Sequence, residues 1–210
     1  MKTSANLSTL YTELPFMKRF TAARRDGFHA VEIQFPYDYP ISDIKRQLID
    51  NDLKCVLINV SAGDLMQGGE GLACVPRKTA EYAAAVVECL SYARALKIPT
   101  VNVLPGCCRI PERREEYMAT FIRNLQVTAD SFAPFGITTT FEAINRFDMP
   151  DFMVCTGREM LAIMVELRHP HIKAQFDIYH MSRMGVDVIG FIRRHGRKIG
   201  HIQFADMSGR

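Results

Sequence analysis

Seven short apolar segments alternate with longer amphipathic segments along the whole chain. The apolar segments have the length and the β-branched content of strands, and they cover residues 3–7, 29–35, 54–60, 100–104, 137–142, 173–177 and 199–204. The amphipathic segments have helical periodicity, and they cover residues 14–26, 41–51, 77–97, 112–133, 157–168 and 186–196. Strands that alternate with helices pair in parallel, because each helix carries the chain back across the sheet. The pattern therefore predicts an α/β fold.

Local signals support several of these boundaries. Thr156 and Glu159 have the spacing of a capping box at the start of the fifth helix. Gly27 and Gly136 lie where helices should end before the next strand. No linker, repeat or low-complexity segment interrupts the series. We therefore predict one domain that covers residues 1–210.

A polar residue follows at or near the end of nearly every predicted strand. These residues are Asn6, Gln34, Asn59, Asn102, Glu142, Asp177 and Gln203. A doubly wound sheet places its site at one switch point, whereas a closed barrel collects side chains from all its strands at one face. The polar ends therefore favour a TIM (β/α)8-type barrel. Only seven strands are visible in 210 residues, so the predicted barrel is C-terminally incomplete in this chain.

Composition excludes several classes of function. The net charge is +3, with 48% hydrophobic and 23% charged residues, so neither nucleic acid nor a membrane surface is expected as a partner. No apolar segment reaches the roughly 18 residues of a transmembrane helix, and the first residues do not resemble a secretory leader. Six scattered cysteines without a CxxC pair are typical of reduced thiols. We therefore expect a cytoplasmic protein.

Three oxygen-bearing side chains end three consecutive strands: Glu142, Asp177 and Gln203. Adjacent parallel strands lie about 5 Å apart, so these ends can converge. Two neighbouring carboxylates repel, and oxygen ligands suit a hard divalent cation, Mg²⁺ or Mn²⁺. Other interpretations remain open. Either carboxylate could cap a helix or pair with Arg146 or Arg183, and Gln203 could fill the barrel interior.

Three motifs carry a family resemblance: "FEAINRFD" (141–148), "QFDIYHMSRM" (175–184) and "GHIQFAD" (200–206). They resemble the hydroxypyruvate isomerase group of xylose-isomerase-like barrels, and the resemblance covers essentially the whole chain. It implies a (β/α)8 barrel with a divalent metal. It also implies an intramolecular oxidoreductase of the aldose–ketose isomerase type, which acts on a small anionic hydroxy acid or sugar-derived substrate. In hydroxypyruvate isomerases, hydroxypyruvate and tartronate semialdehyde interconvert through an enediolate.

The resemblance also implies roles for individual residues. Glu142 would be both a metal ligand and a catalytic acid–base group, and further ligands would be Asp177 and Gln203. The substrate would be bound by His180, Asp148 and Arg210. His180 would donate to the developing oxyanion; packing against the backbone is the alternative for this residue.

The resemblance breaks at the eighth strand. In the family that strand carries a second catalytic glutamate, and no residue here matches it. A cut chain of an active isomerase and a short, inactive remnant both remain open. Unpaired sheet edges would favour pairing with another chain, as in a homo-oligomer. We expect the 210-residue form to be nearly inactive and prone to association, and a form with the eighth strand to be active on hydroxypyruvate.

Other activities of the same barrel group remain open. They include a ketose epimerase or dehydratase and a 2-oxo-tetronate isomerase. Ile58 replaces a histidine found in some hydroxypyruvate isomerases, which leaves the exact substrate open. Abasic-site endonucleases share this barrel, but they need a histidine-rich zinc cluster and a basic groove. Only His180 and His201 lie near predicted strand ends, and this argues against a nuclease.

Overall fold

Seven parallel strands form a single sheet in the computed structural model, which describes residues 2–205. In chain order the strands are β1 Ala5–Asn6, β2 Ala30–Ile33, β3 Lys54–Asn59, β4 Thr100–Val103, β5 Thr138–Glu142, β6 Ile172–Asp177 and β7 Ile199–Gln203. Each strand pairs in parallel with the next one along the chain. This sequential order is the order of a TIM-type barrel, so the predicted fold class is confirmed.

Helices connect the strands. They are α1 Phe16–Arg25, α2 Ile41–Asp50, α3 Thr79–Ala95, α4 Arg114–Phe132, α5 Gly157–Leu167, α6 Ile178–Arg183 and α7 Val188–His195. The six predicted helices are confirmed within a few residues. The short helix α6 was not predicted, because six residues are too few to show helical periodicity. Its N-cap, Asp177, is also the last residue of β6.

Alternate residues of each strand face the helices or the barrel interior. Phe141 of β5 packs edge-on against Phe121 of α4, with ring centroids 5.9 Å apart. Phe176 of β6 stacks on Phe191 of α7 at 4.8 Å. Since Phe141 and Phe176 face outward, the residues next to them along each strand face inward. The interior therefore receives Glu142 from β5 and Asp177 from β6.

Two predicted helix ends depend on a left-handed backbone. Gly27 has φ +91° and Gly136 has φ +69°, a conformation that glycine adopts without a steric penalty. The basic residues 193–198 lie at the end of α7 and in the turn after it, as the pattern indicated.

The six cysteines are all unpaired and buried. Burial raises the pKa of the Cys107 thiol to about 11, so this thiol is protonated at neutral pH. Among residues 2–205, no helix has both the length and the apolar character needed to cross a bilayer.

The predicted capping box is present at the start of α5. The Glu159 backbone N–H donates to Thr156 Oγ1 at 3.2 Å, and the Thr156 backbone N–H donates to Glu159 Oε2 at 2.9 Å. We expect Thr156→Ala to lower the free energy of unfolding by about 1 kcal/mol, because the Glu159 backbone N–H at the helix start loses its side-chain acceptor. Urea denaturation measures the change. Thr21→Ala, at an exposed helical position, is the control and should not destabilise the protein. Equal effects of the two substitutions would contradict this account.

Candidate active site

Polar side chains from six strands form a hydrogen-bonded network inside the barrel. We call it the inner belt, and its members are Glu32, Asn59, Asn102, Thr140, Glu142, Gln175, His201 and Gln203. Sequence reasoning identified four of its members as polar strand ends, namely Asn59, Asn102, Glu142 and Gln203, but it did not identify the network that joins them.

One half of the inner belt holds Glu142. Asn102 of β4 donates through Nδ2 to Glu142 Oε1 at 3.0 Å and to Asn59 Oδ1 at 3.3 Å. Asn102 is fully buried and Glu142 is 6% exposed. A buried carboxylate is stabilised as an ion by such donors. Glu142 is therefore held in a defined place, with its carboxylate inside the barrel.

The other half joins β7 to β2. Gln175 donates through Nε2 to Gln203 Oε1 at 3.1 Å, and Gln203 donates through Nε2 to Glu32 Oε1 at 2.7 Å. His201 Nε2 lies 2.6 Å from Glu32 Oε2. Sequence reasoning chose Gln34 as the polar end of the second strand and missed Glu32. The available signal was alternation, because Glu32 lies two residues before Gln34.

Asp177 lies at the junction of β6 and α6 and is 2% exposed. Its Oδ1 accepts a hydrogen bond from the His180 backbone N–H at 3.2 Å, so Asp177 caps helix α6. Helix capping was one of the alternatives that the sequence left open for this residue. A carboxylate has about four acceptor positions, so capping does not exclude a cation on the same group. His180 Nε2 lies 3.8 Å from Asp177 Oδ2.

Asp148 lies in the loop after β5. Burial raises the pKa of its carboxyl, but hydrogen bonds from Asn145 and Tyr179 and the charge of Arg183 outweigh burial, so the pKa is lowered. Asn145 Nδ2 donates to Asp148 Oδ2 at 2.9 Å, and the Arg183 guanidinium lies 3.7 Å from Oδ1. Asp148 is therefore ionised at neutral pH. Arg183, which the sequence offered as a partner for Glu142 or Asp177, pairs with Asp148.

The strand register shows how the three predicted metal ligands are placed relative to one another. Asp177 is paired with Gln203, and Glu142 is paired with Gln175, two residues before Asp177. All three side chains come from inward-facing positions at the C-terminal ends of β5, β6 and β7. His180 and Asp148 follow on the segments after β6 and β5. The sixth predicted site residue, Arg210, lies outside the described residues.

The chemistry of this donor set fits a hard cation. Two carboxylates and one amide supply oxygen atoms only, as Mg²⁺ and Mn²⁺ prefer. Gln203 Oε1 accepts one bond from Gln175, and a carbonyl oxygen has two lone pairs. Within residues 2–205, no group of three or more His, Cys, Asp or Glu side chains is arranged to hold a metal ion. An ion here would therefore need the amide oxygen of Gln203 beside the two carboxylates.

A cavity of about 290 Å³ opens at the same end of the barrel. It is lined by residues that follow β2, including Phe35, Tyr37 and Asp38, and by residues that follow β3, including Ser61 and Met66. The side chain of Tyr37 donates to the backbone oxygen of Asn59, the last residue of β3. Loops after parallel strands form the ligand-binding face of a TIM barrel, so the cavity lies at that face. None of the residues that line it belongs to the inner belt or is a predicted site residue.

Comparisons with known proteins identify relatives over nearly the whole chain. The family model described as xylose isomerase-like TIM barrel matches residues 20–210. Hydroxypyruvate isomerase of Escherichia coli (strain K12) is 37% identical over 206 residues, which are 98% of this chain and 80% of that protein. A 2-oxo-tetronate isomerase of Pectobacterium atrosepticum is 35% identical over 209 residues, which are 100% of this chain and 80% of that protein.

Solved structures agree with the sequence comparisons. A protein described as AP endonuclease, family 2, from Brucella melitensis superposes with a TM-score of 0.95 at 33% identity, over 100% of this chain and 81% of that chain. D-psicose 3-epimerase from Clostridium cellulolyticum H10 superposes with a TM-score of 0.81, over 100% of this chain and 76% of that chain. Its identity is only 17%, so this likeness concerns the fold alone. The chain is therefore an isomerase and belongs to the xylose isomerase-like TIM barrel family.

Proposed function

We propose that this chain interconverts hydroxypyruvate and tartronate semialdehyde, or a close 2-oxo hydroxy acid such as a 2-oxo-tetronate. One observation carries the proposal: the buried carboxylate of Glu142 is held by Asn102 at an inward-facing strand end, in a chain 37% identical to a hydroxypyruvate isomerase.

The proposed chemistry is a proton transfer between two adjacent carbons. Glu142 removes a proton from the carbon that bears the hydroxyl, next to the substrate carbonyl, which gives an enediolate. The second catalytic glutamate that the family resemblance implies on the eighth strand would return a proton to the former carbonyl carbon, while the hydroxyl proton passes to the former carbonyl oxygen. The ionised Asp148 accepts a hydrogen bond from a substrate hydroxyl. His180 donates a hydrogen bond to the oxygen on which negative charge develops. The low exposure of Glu142 supports this role, because water competes poorly for a buried base.

We also propose that Glu142, Asp177 and Gln203 hold Mg²⁺ or Mn²⁺. When bound, the ion would supply Lewis acidity toward the substrate oxygens. Asn102 orients the Glu142 carboxylate and Gln175 orients the Gln203 amide. Hydrogen bonds of this kind position metal ligands in proteins.

The activity is tested with hydroxypyruvate and with a 2-oxo-tetronate, in the presence of Mn²⁺ or Mg²⁺. The chain covers 80% of its E. coli relative, so we would assay it both alone and in a form extended by the eighth strand that the family resemblance predicts. Proton NMR in D₂O follows the product and the deuterium that enters at carbon. Conversion of either acid supports the proposal. If neither form converts these acids while a ketose is epimerised, the proposal is wrong.

We expect Asp177→Ala to weaken Mn²⁺ binding by more than about 100-fold. Removing a hydrogen bond to a metal ligand lowers metal affinity by about 10–100-fold, and removing the ligand itself should lower it further. Asp187→Ala is a matched control, since Asp187 also caps a helix with its carboxylate, in this case α7. Both variants lose a cap, and only the first loses a proposed ligand. Titration calorimetry or the electron spin resonance of Mn²⁺ measures the affinity. Equal Mn²⁺ affinity of the two variants would exclude Asp177 as a ligand.

A further inference from the structure

The side chain of Asn145 has a fixed orientation. Asn145 is fully buried in the loop after β5. Its Oδ1 accepts from the backbone N–H groups of Phe147 at 3.0 Å and Asp148 at 2.9 Å. Both partners are donors, so the atom that faces them must be the oxygen. The amide nitrogen therefore points the other way.

This orientation places hydrogen-bond donors against one nitrogen of His180. Asn145 Nδ2 donates to Asp148 Oδ2 at 2.9 Å and lies 2.8 Å from His180 Nδ1. The Asn145 backbone N–H also points at His180 Nδ1, at 3.4 Å. A ring nitrogen that faces two N–H groups can only accept. In the neutral ring the hydrogen must then be on Nε2.

We propose that Asn145 is a positioning residue that fixes His180 in the Nε2–H tautomer. Nε2 is on the side of Asp177, 3.8 Å from Oδ2, which is too long for a direct hydrogen bond between these two atoms. The tautomer makes Nε2 a donor beside the strand ends that carry Glu142 and Asp177. A catalytic role for this donor rests on the proposed function, because a substrate oxygen accepts the hydrogen bond only if the proposed reaction takes place here. The tautomer itself follows from the contacts of Asn145.

Nitrogen NMR of protein labelled with ¹⁵N-histidine tests the tautomer directly. The spectrum is recorded at about pH 8, above the ordinary histidine pKa of about 6.5, and at rising pH until the His180 signals are those of a neutral ring. A His180→Gln variant assigns the His180 signals by their loss. We expect the Nε2–H pattern in the unaltered protein. An Nδ1–H pattern there would overturn the proposal, whatever any variant does.

The Asn145→Asp variant tests whether Asn145 sets the tautomer of His180. The aspartate keeps an oxygen for the two backbone donors and places a second acceptor where the amide nitrogen was. We expect the His180 hydrogen to move to Nδ1. Asn51→Asp makes the same chemical change at the end of α2 and should leave the His180 signals unchanged. If the folded Asn145→Asp variant keeps the Nε2–H pattern, Asn145 does not set the tautomer.

Asn145→Ala provides a second variant if Asn145→Asp does not fold. It removes the amide donor and leaves only the longer backbone N–H contact. We then expect both tautomers to be populated, and retention of Nε2–H alone would overturn the proposal. These results are independent of turnover: the expected tautomer in a protein that converts neither acid would leave this inference intact and reject the proposed function.

Discussion

Glu142→Gln should lower kcat by about 10²–10⁴-fold, the usual contribution of a general base, and should affect Mn²⁺ binding far less. Glutamine keeps an oxygen that can ligate a cation or accept from Asn102 Nδ2, which lies 3.0 Å from Glu142 Oε1. It cannot take a proton from carbon. The substitution therefore separates proton transfer from ligand binding at one position.

The kinetics of this variant are measured in the form extended by the expected eighth strand, and Mn²⁺ affinity is measured beside them. Glu166→Gln makes the same change at an exposed position of α5 and should leave both quantities unaltered. Full turnover by Glu142→Gln would remove Glu142 from the role of base. An equal, large loss of Mn²⁺ affinity and of turnover would show that Glu142 acts mainly as a ligand.

His201→Leu should lower the free energy of unfolding by about 3 kcal/mol, because it removes one partner of a buried carboxylate. Glu32 is 4% exposed and receives one short contact from His201 and one from Gln203. Without His201, the buried carboxylate of Glu32 has one hydrogen-bond partner fewer, and little water is present to replace it. Urea denaturation measures the loss.

The cost should depend on the charge of Glu32. Adding Glu32→Gln to His201→Leu should recover at least half of the lost stability, because a neutral amide is easier to bury than a carboxylate with a lost partner. The single Glu32→Gln variant completes the double-mutant cycle. His29→Leu, at an exposed position, should change stability by no more than about 0.5 kcal/mol. Additive effects of the two inner-belt substitutions would show that Glu32 and His201 are not coupled.

The fold was predictable because its signals are local. Each strand is a short apolar run, and the start of α5 and the glycines after α1 and α4 carry ordinary boundary signals. Glu142 and Asp177 were recognisable because each is a carboxylate at the end of an apolar run. Their capacity to bind a metal and to transfer protons stays a prediction.

What sequence reasoning missed is non-local. Glu32 and His201 are 169 positions apart, and nothing near either residue indicates the other. The link between Asn145 and His180 spans 35 positions. Asn145 belongs to the motif "FEAINRFD", but its contact with His180 depends on how the loop after β5 meets helix α6. The helix α6 was missed because its six residues are too few to show helical periodicity.

The link between Glu32 and His201 also bears on how fast the barrel forms and how long it persists. The two side chains can meet only after the intervening strands have been placed in order, since the loop they close is 169 residues long. We expect such a contact to be absent from an early folding nucleus built from neighbouring β–α units. Its loss should then speed unfolding and scarcely change the rate of folding. On this argument the pair sets the lifetime of the assembled barrel more than the speed of its assembly.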